Sequence, residues 1–216
     1  MTYMKVLIGT TNPAKISRFA EFLPNSNIEF LTLRDLGITE EPQETGKTPE
    51  ENARIKAAFY GQFFDRVICN DSGLYFDGIP LDDPRQPGLN IRAPQGKRLD
   101  DEEMIAYYSR LIYQLGGKVR TYYLDGIAVW RNGEIQSFLD ERGKLAAFYM
   151  VEKPSPNRHP GWPLDSLSLN RNTMTYFTDH GNNIYDPVEE QIMVGQYRQR
   201  VIDFLKSALG VEQVAD

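Results

Sequence analysis

Two acidic side chains stand beside turn-forming residues, where a chain can present them to a ligand. Glu44 lies in QETGKTPEEN, ahead of a predicted helix, and Asp71 lies in CNDSGL, directly after the apolar pair at 67–68. Two carboxylates brought together from separate loops can hold Mg²⁺, a hard cation that keeps several waters and commonly bridges a carboxylate to a phosphate. Either acid alone is more often a solvated or capping group, so the two are candidates as a pair.

The segment GTTNPAK, residues 9–15, is typical of a turn from a strand into a helix. With Asn12 capping the helix and Pro13 opening it, free backbone N–H groups and the positive end of the helix dipole would face the turn and stabilise an anion. Lys15 would add a full charge there, and Lys56 is a second candidate phosphate contact. The glycine spacing of a Walker A loop is absent. An ordinary helix cap with a solvated lysine is the other interpretation of this segment.

The elements that must position these residues alternate between strand and helix in the first third of the chain. Apolar runs predict strands at residues 4–9, from Ile28 and at 66–70, and the last strand is expected to end before Asp71. A helix begins after Pro13. Another begins after Thr48, where a glutamate three residues later predicts a capping box.

Signals for hairpins dominate the middle of the chain. Asp100 with Glu103 predicts a helix start, and an Asn-Gly pair at 132–133 predicts a tight turn between two strands. The run KLAAFYMV, from Lys144, predicts a further strand; residues 153–183 look irregular, and a helix is expected from about Pro187 to Leu209. This order predicts a mixed α/β protein, with residues 1–216 forming one domain of two lobes around a cleft.

Composition narrows the classes of function. The chain has 216 residues, of which 41% are hydrophobic and 25% charged, as in ordinary globular proteins. Its formal net charge of −6 argues against tight, sequence-independent binding to nucleic acid, which depends on clustered Lys and Arg. Cys69 is the only cysteine, so neither an internal disulfide nor a cysteine-based zinc site can form. The N-terminal apolar run is too short for a signal sequence or a membrane span, and we expect a soluble, cytoplasmic protein with no membrane partner.

Three segments occur in a specific order and separation: TTNPAK from Thr10 to Lys15, ETGKTPEENARIKA from Glu44 to Ala57, and NDSGL from Asn70. Together they resemble the inosine triphosphate pyrophosphatase (ITPase) family, whose members hydrolyse non-canonical purine nucleoside triphosphates to the monophosphate and pyrophosphate. The corresponding family patterns are T-G-N-x-x-K, E-T-G-x-T-x-x-E-N-A-x-x-K-A and D-D-S-G-L. The resemblance is most specific in the middle segment.

The resemblance implies a fold and a set of roles. The fold would be ITPase-like: a two-lobed mixed α/β domain with a long, twisted central sheet and a cleft between the lobes. Asp71 would bind Mg²⁺, or Mn²⁺ in its place, and would orient or deprotonate the attacking water, while Glu44 would share the metal. The remaining matched residues would contact the phosphates: Thr10, Thr11, Asn12, Lys15, Lys56, Ser72 and Gly73. The resemblance also implies a homodimer.

The match weakens toward the C-terminus, where the family holds the base. A glycine-rich F-G-Y-D-P turn is replaced by GWPLD at 161–165, and S-H-R is replaced by Gln-Tyr-Arg at 196–198. Base contacts are therefore carried over to Trp162, Asp165, Tyr197 and Arg198. Because discrimination by buried hydrogen bonds depends on the donors present, inosine specificity does not follow from the resemblance. Asn70 stands where family members commonly have an acid, so the predicted site has one negative charge fewer.

Three functions are compatible with these residues. The first is a Mg²⁺-dependent nucleoside triphosphate pyrophosphohydrolase acting on non-canonical purine nucleotides such as ITP, dITP or XTP. The second is the same chemistry on a modified or pyrimidine nucleotide. The third is a catalytically inactive, nucleotide-binding regulatory module that has kept the phosphate site. His159 and His180 lie in loops without ligand spacing, and they are predicted to face solvent rather than bind metal.

Overall fold

The computed structural model describes residues 3–24, 27–94, 96–179 and 188–211. These residues divide into two compact units. The first unit comprises the chain up to Ser72, residues 125–140 and the chain from Gln196; the second comprises residues 73–124 and 141–195. Along the described ranges, no helix is both long enough and apolar enough to cross a bilayer.

The fold is mixed α/β, as the order of sequence patterns predicts. The strands are β1 (Met4–Ile8), β2 (Ile28–Thr32), β3 (Arg66–Phe76), β4 (Lys118–Arg131), β5 (Glu134–Leu139), β6 (Phe148–Val151) and β7 (Ser168–Leu169). The helices are α1 (Pro13–Phe22), α2 (Pro49–Tyr60), α3 (Asp101–Gln114) and α4 (Val188–Leu209). The strand order is β2-β1-β3-β4-β6-β7, with β5 paired to β4. Pairing is parallel between β1 and its neighbours β2 and β3, and antiparallel for β4 with β5 and β6 and for β6 with β7.

Local capping chemistry fixes the predicted helix starts. The Thr48 hydroxyl accepts the Glu51 N–H at 3.1 Å, so Thr48 caps α2 as expected. The return bond differs from a capping box, because the Glu51 carboxylate accepts from the backbone of Lys47 at 2.7 Å. The predicted start of α3 after Asp100 is confirmed, and a full capping box joins Asp100 and Glu103 there.

The hairpin in the middle of the chain is confirmed, and one strand boundary there is wrong. Asn132 and Gly133 connect β4 to β5 with positive φ values of 49° and 93°, the backbone geometry that favours an Asn-Gly pair. The predicted strand at KLAAFYMV begins later than expected. Its first half belongs to a 3-10 helix, Glu141–Ala146, and only Phe148–Val151 pairs with β4.

The strand that carries the acidic motif does not end before it. β3 runs from Arg66 to Phe76, so the expectation that the chain leaves the strand ahead of Asp71 is wrong. Leu74 and Phe76 supply the reason, because both are almost completely buried in the core of the second unit and continue the apolar strand pattern. Asp71 is thus presented from within a strand.

Alternation along β3 divides the motif between two faces. Ile68 packs in the apolar cluster of α1 and α4, whereas Val67 and Cys69 pack in the cluster of α2. Successive side chains of a strand point to opposite faces. Asn70 and Ser72 therefore share the α1/α4 face of the sheet, and Asp71 lies on the α2 face.

Candidate active site

The α2 face holds a charged cluster built around one amine. Lys56 Nζ lies 2.8 Å from Glu44 Oε1 and 3.2 Å from Asp71 Oδ1, so two acids that are 27 positions apart are joined by a single ammonium group. Lys56 and Asp71 have only 15% and 11% of their side chains exposed, whereas Glu44 is 42% exposed. The structure thus brings together Glu44, Lys56 and Asp71, as the sequence predicts.

Asn52 holds this cluster in place and was not singled out from the sequence. Its amide nitrogen donates to Asp71 Oδ2 at 3.0 Å, and its amide oxygen accepts the Gly46 N–H at 2.8 Å. A Cβ at Gly46 would lie 2.6 Å from that same oxygen, so the loop approaches closely because residue 46 has no side chain. The place of Asn52 in the segment ENARIKA, which matches the family pattern, is the sequence signal that could have identified it. Asn52 ties the loop of Glu44 to the strand of Asp71.

Electrostatics keeps Lys56 charged. Burial alone would lower the pKa of Lys56, but the charge of Asp71 and the hydrogen bond to Glu44 raise that pKa above the ordinary lysine value. Each carboxylate gains a permanent positive neighbour as a result. Lys56 is therefore charged throughout the neutral range.

Lys15 behaves differently, because its amine has no hydrogen bond or salt bridge with any residue the structure describes. Burial and then the charge of Lys56 lower the pKa of Lys15, and the carboxylates of Asp125 and Asp71 offset part of that shift. The amine lies in the first turn of α1, as predicted. A partly buried cation without a partner is the feature expected of a site that receives an anion.

A second polar cluster lies on the α1/α4 face and is centred on Asp125 of β4. Asp125 Oδ1 accepts the Ser72 hydroxyl at 2.6 Å, and Asp125 Oδ2 accepts Arg18 Nη2 at 2.8 Å and the Tyr197 hydroxyl at 3.4 Å. Sequence reasoning missed both Arg18 and Asp125. A lone acid inside the apolar run YYLDGIAVW was the only available signal.

The ionised state of Asp125 sets the direction of the hydrogen bonds around it. Burial would raise the pKa of Asp125, but Arg18 and the Ser72 hydrogen bond hold that pKa below its ordinary value. An ionised carboxylate only accepts, so the single hydroxyl hydrogen of Ser72 is given to Asp125. The Asn70 amide nitrogen then donates to Ser72 Oγ at 3.4 Å, and the buried Asn70 Oδ1 is left without a partner among the described residues.

Asp125 is expected to make stability depend on pH in the acid range. A carboxyl with a depressed folded-state pKa stabilises the fold above its unfolded pKa, near 3.9, and this contribution disappears as pH falls through the folded pKa. Asp125→Asn should therefore lower the free energy of unfolding by about 2 kcal/mol at pH 7, less than for a fully buried pair because Arg18 reaches solvent. The difference from wild type should shrink below about pH 4. Urea denaturation from pH 7 to pH 3 measures it, and a difference that grows in acid would contradict the assignment.

The remaining predicted phosphate contacts lie around the first turn. Thr10, Thr11 and Asn12 connect β1 to α1, with the Thr10 hydroxyl accepting the Asn12 N–H at 3.2 Å. Ser72 is the last residue of the first segment of the first unit, and Gly73 is the first residue of the second unit. A Cβ at Gly73 would lie 2.6 Å from the ring of Tyr75, so this backbone also comes close to its neighbour because it lacks a side chain. Their roles toward phosphate stay predictions.

The predicted base contacts fall in both units. In the second unit, Trp162 is 39% exposed, and Asp165 Oδ2 lies 2.9 Å from His159 Nδ1. Burial raises the pKa of Asp165, and the hydrogen bond to His159 opposes that rise. In the first unit, Tyr197 contacts Asp125, while Arg198 Nη2 donates to the Glu21 carbonyl at 2.5 Å. The expectation that His159 faces solvent is incomplete, because this bond engages it, and His180 lies outside the described residues.

Comparison with known proteins identifies the family. The model of the Ham1 family matches residues 6–139, which include both polar clusters except Tyr197. The chain belongs to the Ham1 family. The ITPase-family resemblance predicted from the three segments is thereby confirmed.

Curated relatives of this Ham1 chain carry the name dITP/XTP pyrophosphatase. The relative from Thermoanaerobacter pseudethanolicus is 43% identical over 143 residues, which cover 66% of this chain and 69% of the relative. The one from Bacillus subtilis is 36% identical over 107 residues, covering 49% of this chain and 52% of the relative.

Solved structures agree on the fold. The Ham1 protein of Staphylococcus aureus superposes with a TM-score of 0.67 at 20% identity, covering 97% of this chain and all of that one. A HAM1 protein from Coxiella burnetii gives a TM-score of 0.68 at 19% identity, with 95% and 100% covered. At these identities the likeness establishes only that the chain shares the fold of these Ham1 structures.

Proposed function

We propose that this chain is a nucleoside triphosphate pyrophosphohydrolase that cleaves non-canonical purine nucleotides, such as dITP, ITP and XTP, to the monophosphate and pyrophosphate. Family membership and the activity named for its relatives support the reaction class and the base class. The observation that carries the proposal is the unpartnered Lys15 amine, electrostatically coupled to the cluster of Glu44, Lys56 and Asp71. In this arrangement the lysine amines can bind a polyphosphate, and a carboxylate can accept a hydrogen bond from a water molecule.

Lys15 and Lys56 are the groups suited to the phosphates. Lys56 stays charged because two carboxylates surround it, and Lys15 has no competing partner among the described residues. Both would offset the negative charge that grows on pyrophosphate as it leaves, which is the dominant contribution in phosphoryl chemistry. The N-terminus of α1, which follows the turn at residues 10–12, adds the positive end of a helix dipole.

Asp71 is suited to hold the attacking water. Each of its oxygens accepts one hydrogen bond, from Asn52 or from Lys56, and each keeps a free lone pair. The fixed carboxylate would accept a water proton while the water oxygen attacks the α-phosphorus and pyrophosphate departs. Rigid support on both oxygens fixes the direction of that acceptor.

The same carboxylates fit a hard divalent cation. Glu44 and Asp71 offer oxygen ligands only, and no group of three or more His, Cys, Asp or Glu side chains that could bind a metal occurs in the described part of the chain. Mg²⁺ suits such a set, since it uses one or two carboxylates together with waters and substrate phosphates. When bound, Mg²⁺ or Mn²⁺ would neutralise phosphate charge. Glu44, the more exposed acid, and Asp71 would hold it.

A panel of nucleoside triphosphates tests the proposal. With Mg²⁺ present, dITP, ITP and XTP should be cleaved at least tenfold more efficiently than ATP, GTP or pyrimidine triphosphates, with equal yields of monophosphate and pyrophosphate. Removal of metal by EDTA should abolish turnover, and added Mg²⁺ or Mn²⁺ should restore it. If a pyrimidine or modified nucleotide were cleaved preferentially, the assignment of non-canonical purines as substrates would be wrong. Nucleotide binding without turnover of any member would overturn the proposal.

The family resemblance also predicts a homodimer. Gel filtration with light scattering measures the mass against the 24.8 kDa of one chain. A single species at that mass would contradict the dimer.

A further inference from the structure

Two cations of α1 influence one buried carboxylate. Lys15 and Arg18 are three residues apart, which places them on the same side of the helix. Arg18 forms the salt bridge to Asp125 at 2.8 Å, whereas Lys15 forms none with the described residues. Lys15 is nevertheless near enough to Asp125 for their charges to influence each other.

Three side chains of the described residues hydrogen-bond to the Asp125 carboxylate. Ser72 occupies one oxygen at 2.6 Å, and Arg18 and Tyr197 share the other. The Asp125 side chain is only 14% exposed, so water cannot replace a lost partner easily. If Arg18 were absent, the carboxylate would need another cation, and Lys15 is the one on the same helix face.

We propose that Arg18 is a positioning residue: by occupying the carboxylate of Asp125, it prevents that carboxylate from capturing Lys15 and so keeps the Lys15 amine available for a polyphosphate. Arg18 does not itself touch the substrate. The inference rests on the proposed function only in assuming that Lys15 receives phosphate. Two other roles for the pair are a direct phosphate contact by Arg18 and a purely structural salt bridge.

The three roles of Arg18 predict different changes in the dissociation constant for pyrophosphate. In Arg18→Gln the uncompensated Asp125 captures Lys15, so the dissociation constant for pyrophosphate should rise about tenfold, the result of a change near 1.4 kcal/mol. In Asp125→Asn the competing charge is gone, so pyrophosphate should bind as tightly as in wild type or a few fold more tightly. The double variant should return to within about threefold of wild type, because the residue that captures Lys15 is absent.

Calorimetric titration of inorganic pyrophosphate into each folded variant measures these constants, and Arg18→Lys serves as the charge-conserving control that should retain tight binding. A double variant as weak as Arg18→Gln would overturn the proposal in favour of direct contact. Equal weakening in both single variants would overturn it in favour of a structural pair. Folding of each variant is verified by thermal unfolding, and titrations are done well below the midpoint.

A second measurement needs neither turnover nor phosphate. Trace acylation followed by peptide mapping reports the reactivity of the Lys15 amine, which falls when an amine becomes paired and more basic. Reactivity at neutral pH should drop about tenfold in Arg18→Gln and recover in the double variant. Unchanged reactivity in Arg18→Gln would overturn the proposal. Because this readout is independent of catalysis, it separates failure of the inference from failure of the proposed function.

Discussion

Asp71→Asn is expected to lower kcat/KM for the best nucleoside triphosphate about 10³-fold, within the range for loss of a general base. The amide keeps the shape of the side chain and can still bond to Asn52. It cannot accept a proton, and it removes the negative charge beside Lys56. Pyrophosphate release under saturating nucleotide and under kcat/KM conditions measures the loss.

A matched variant controls for the substitution itself. Asp65→Asn changes an exposed acid of the same unit, directly before β3, and should leave kcat/KM within twofold of wild type. Circular dichroism should show the same fold in both variants. Retention of more than a tenth of wild-type activity in Asp71→Asn would rule out the role assigned to Asp71.

Lys15→Met is expected to lower the activity while raising the stability of the fold. Loss of the unpartnered amine should reduce kcat/KM about 10²- to 10³-fold, because developing phosphate charge loses a preorganised cation. The free energy of unfolding should instead rise by about 1 kcal/mol, as when a functional site is relieved of a buried charge. The lowered pKa of Lys15 means that the unfolded chain binds its proton more tightly, so this stability gain should diminish as pH rises toward the ordinary lysine value.

Lys5→Met provides the control for the lysine substitution, because Lys5 is 58% exposed and its contact with Glu29 is long, at 3.7 Å. It should change neither kcat/KM nor the free energy of unfolding appreciably. Denaturant titration at pH 7 and pH 10 gives the stability comparison. A fully active Lys15→Met, or one that is destabilised, would refute the description of Lys15 as an unpartnered anion-binding group.

The helix start and the hairpin that the sequence predicts correctly both depend on local patterns. The start of α2 follows from Thr48 and Pro49, and the hairpin follows from Asn132 and Gly133, because caps and tight turns depend on neighbours along the chain. The association of Glu44 with Asp71 followed from motif order rather than from local physics. Residue type made the two acids candidates as a pair, and the family resemblance gave them a shared role.

Long-range contacts account for what was missed. Arg18 and Asp125 are 107 positions apart, and nothing local indicates that β4 places an acid beside α1. The continuation of β3 through Asp71 depends likewise on burial of Leu74 and Phe76 in the second unit. A polar run between apolar runs is typical of a loop unless such partners exist. Asn52 appeared only as a motif match because its two partners come from different segments.

The alternation of side chains along β3 constrains how this gene can change. Asp71 works with one set of neighbours, and Asn70 and Ser72 work with another on the reverse of the same strand. Insertion or deletion of one codon between those for Val67 and Asn70 would exchange the two sets at once, since a one-residue slip turns every following side chain over. Substitutions within this segment leave the two sets on their own faces of the sheet. A change in the length of the segment does not.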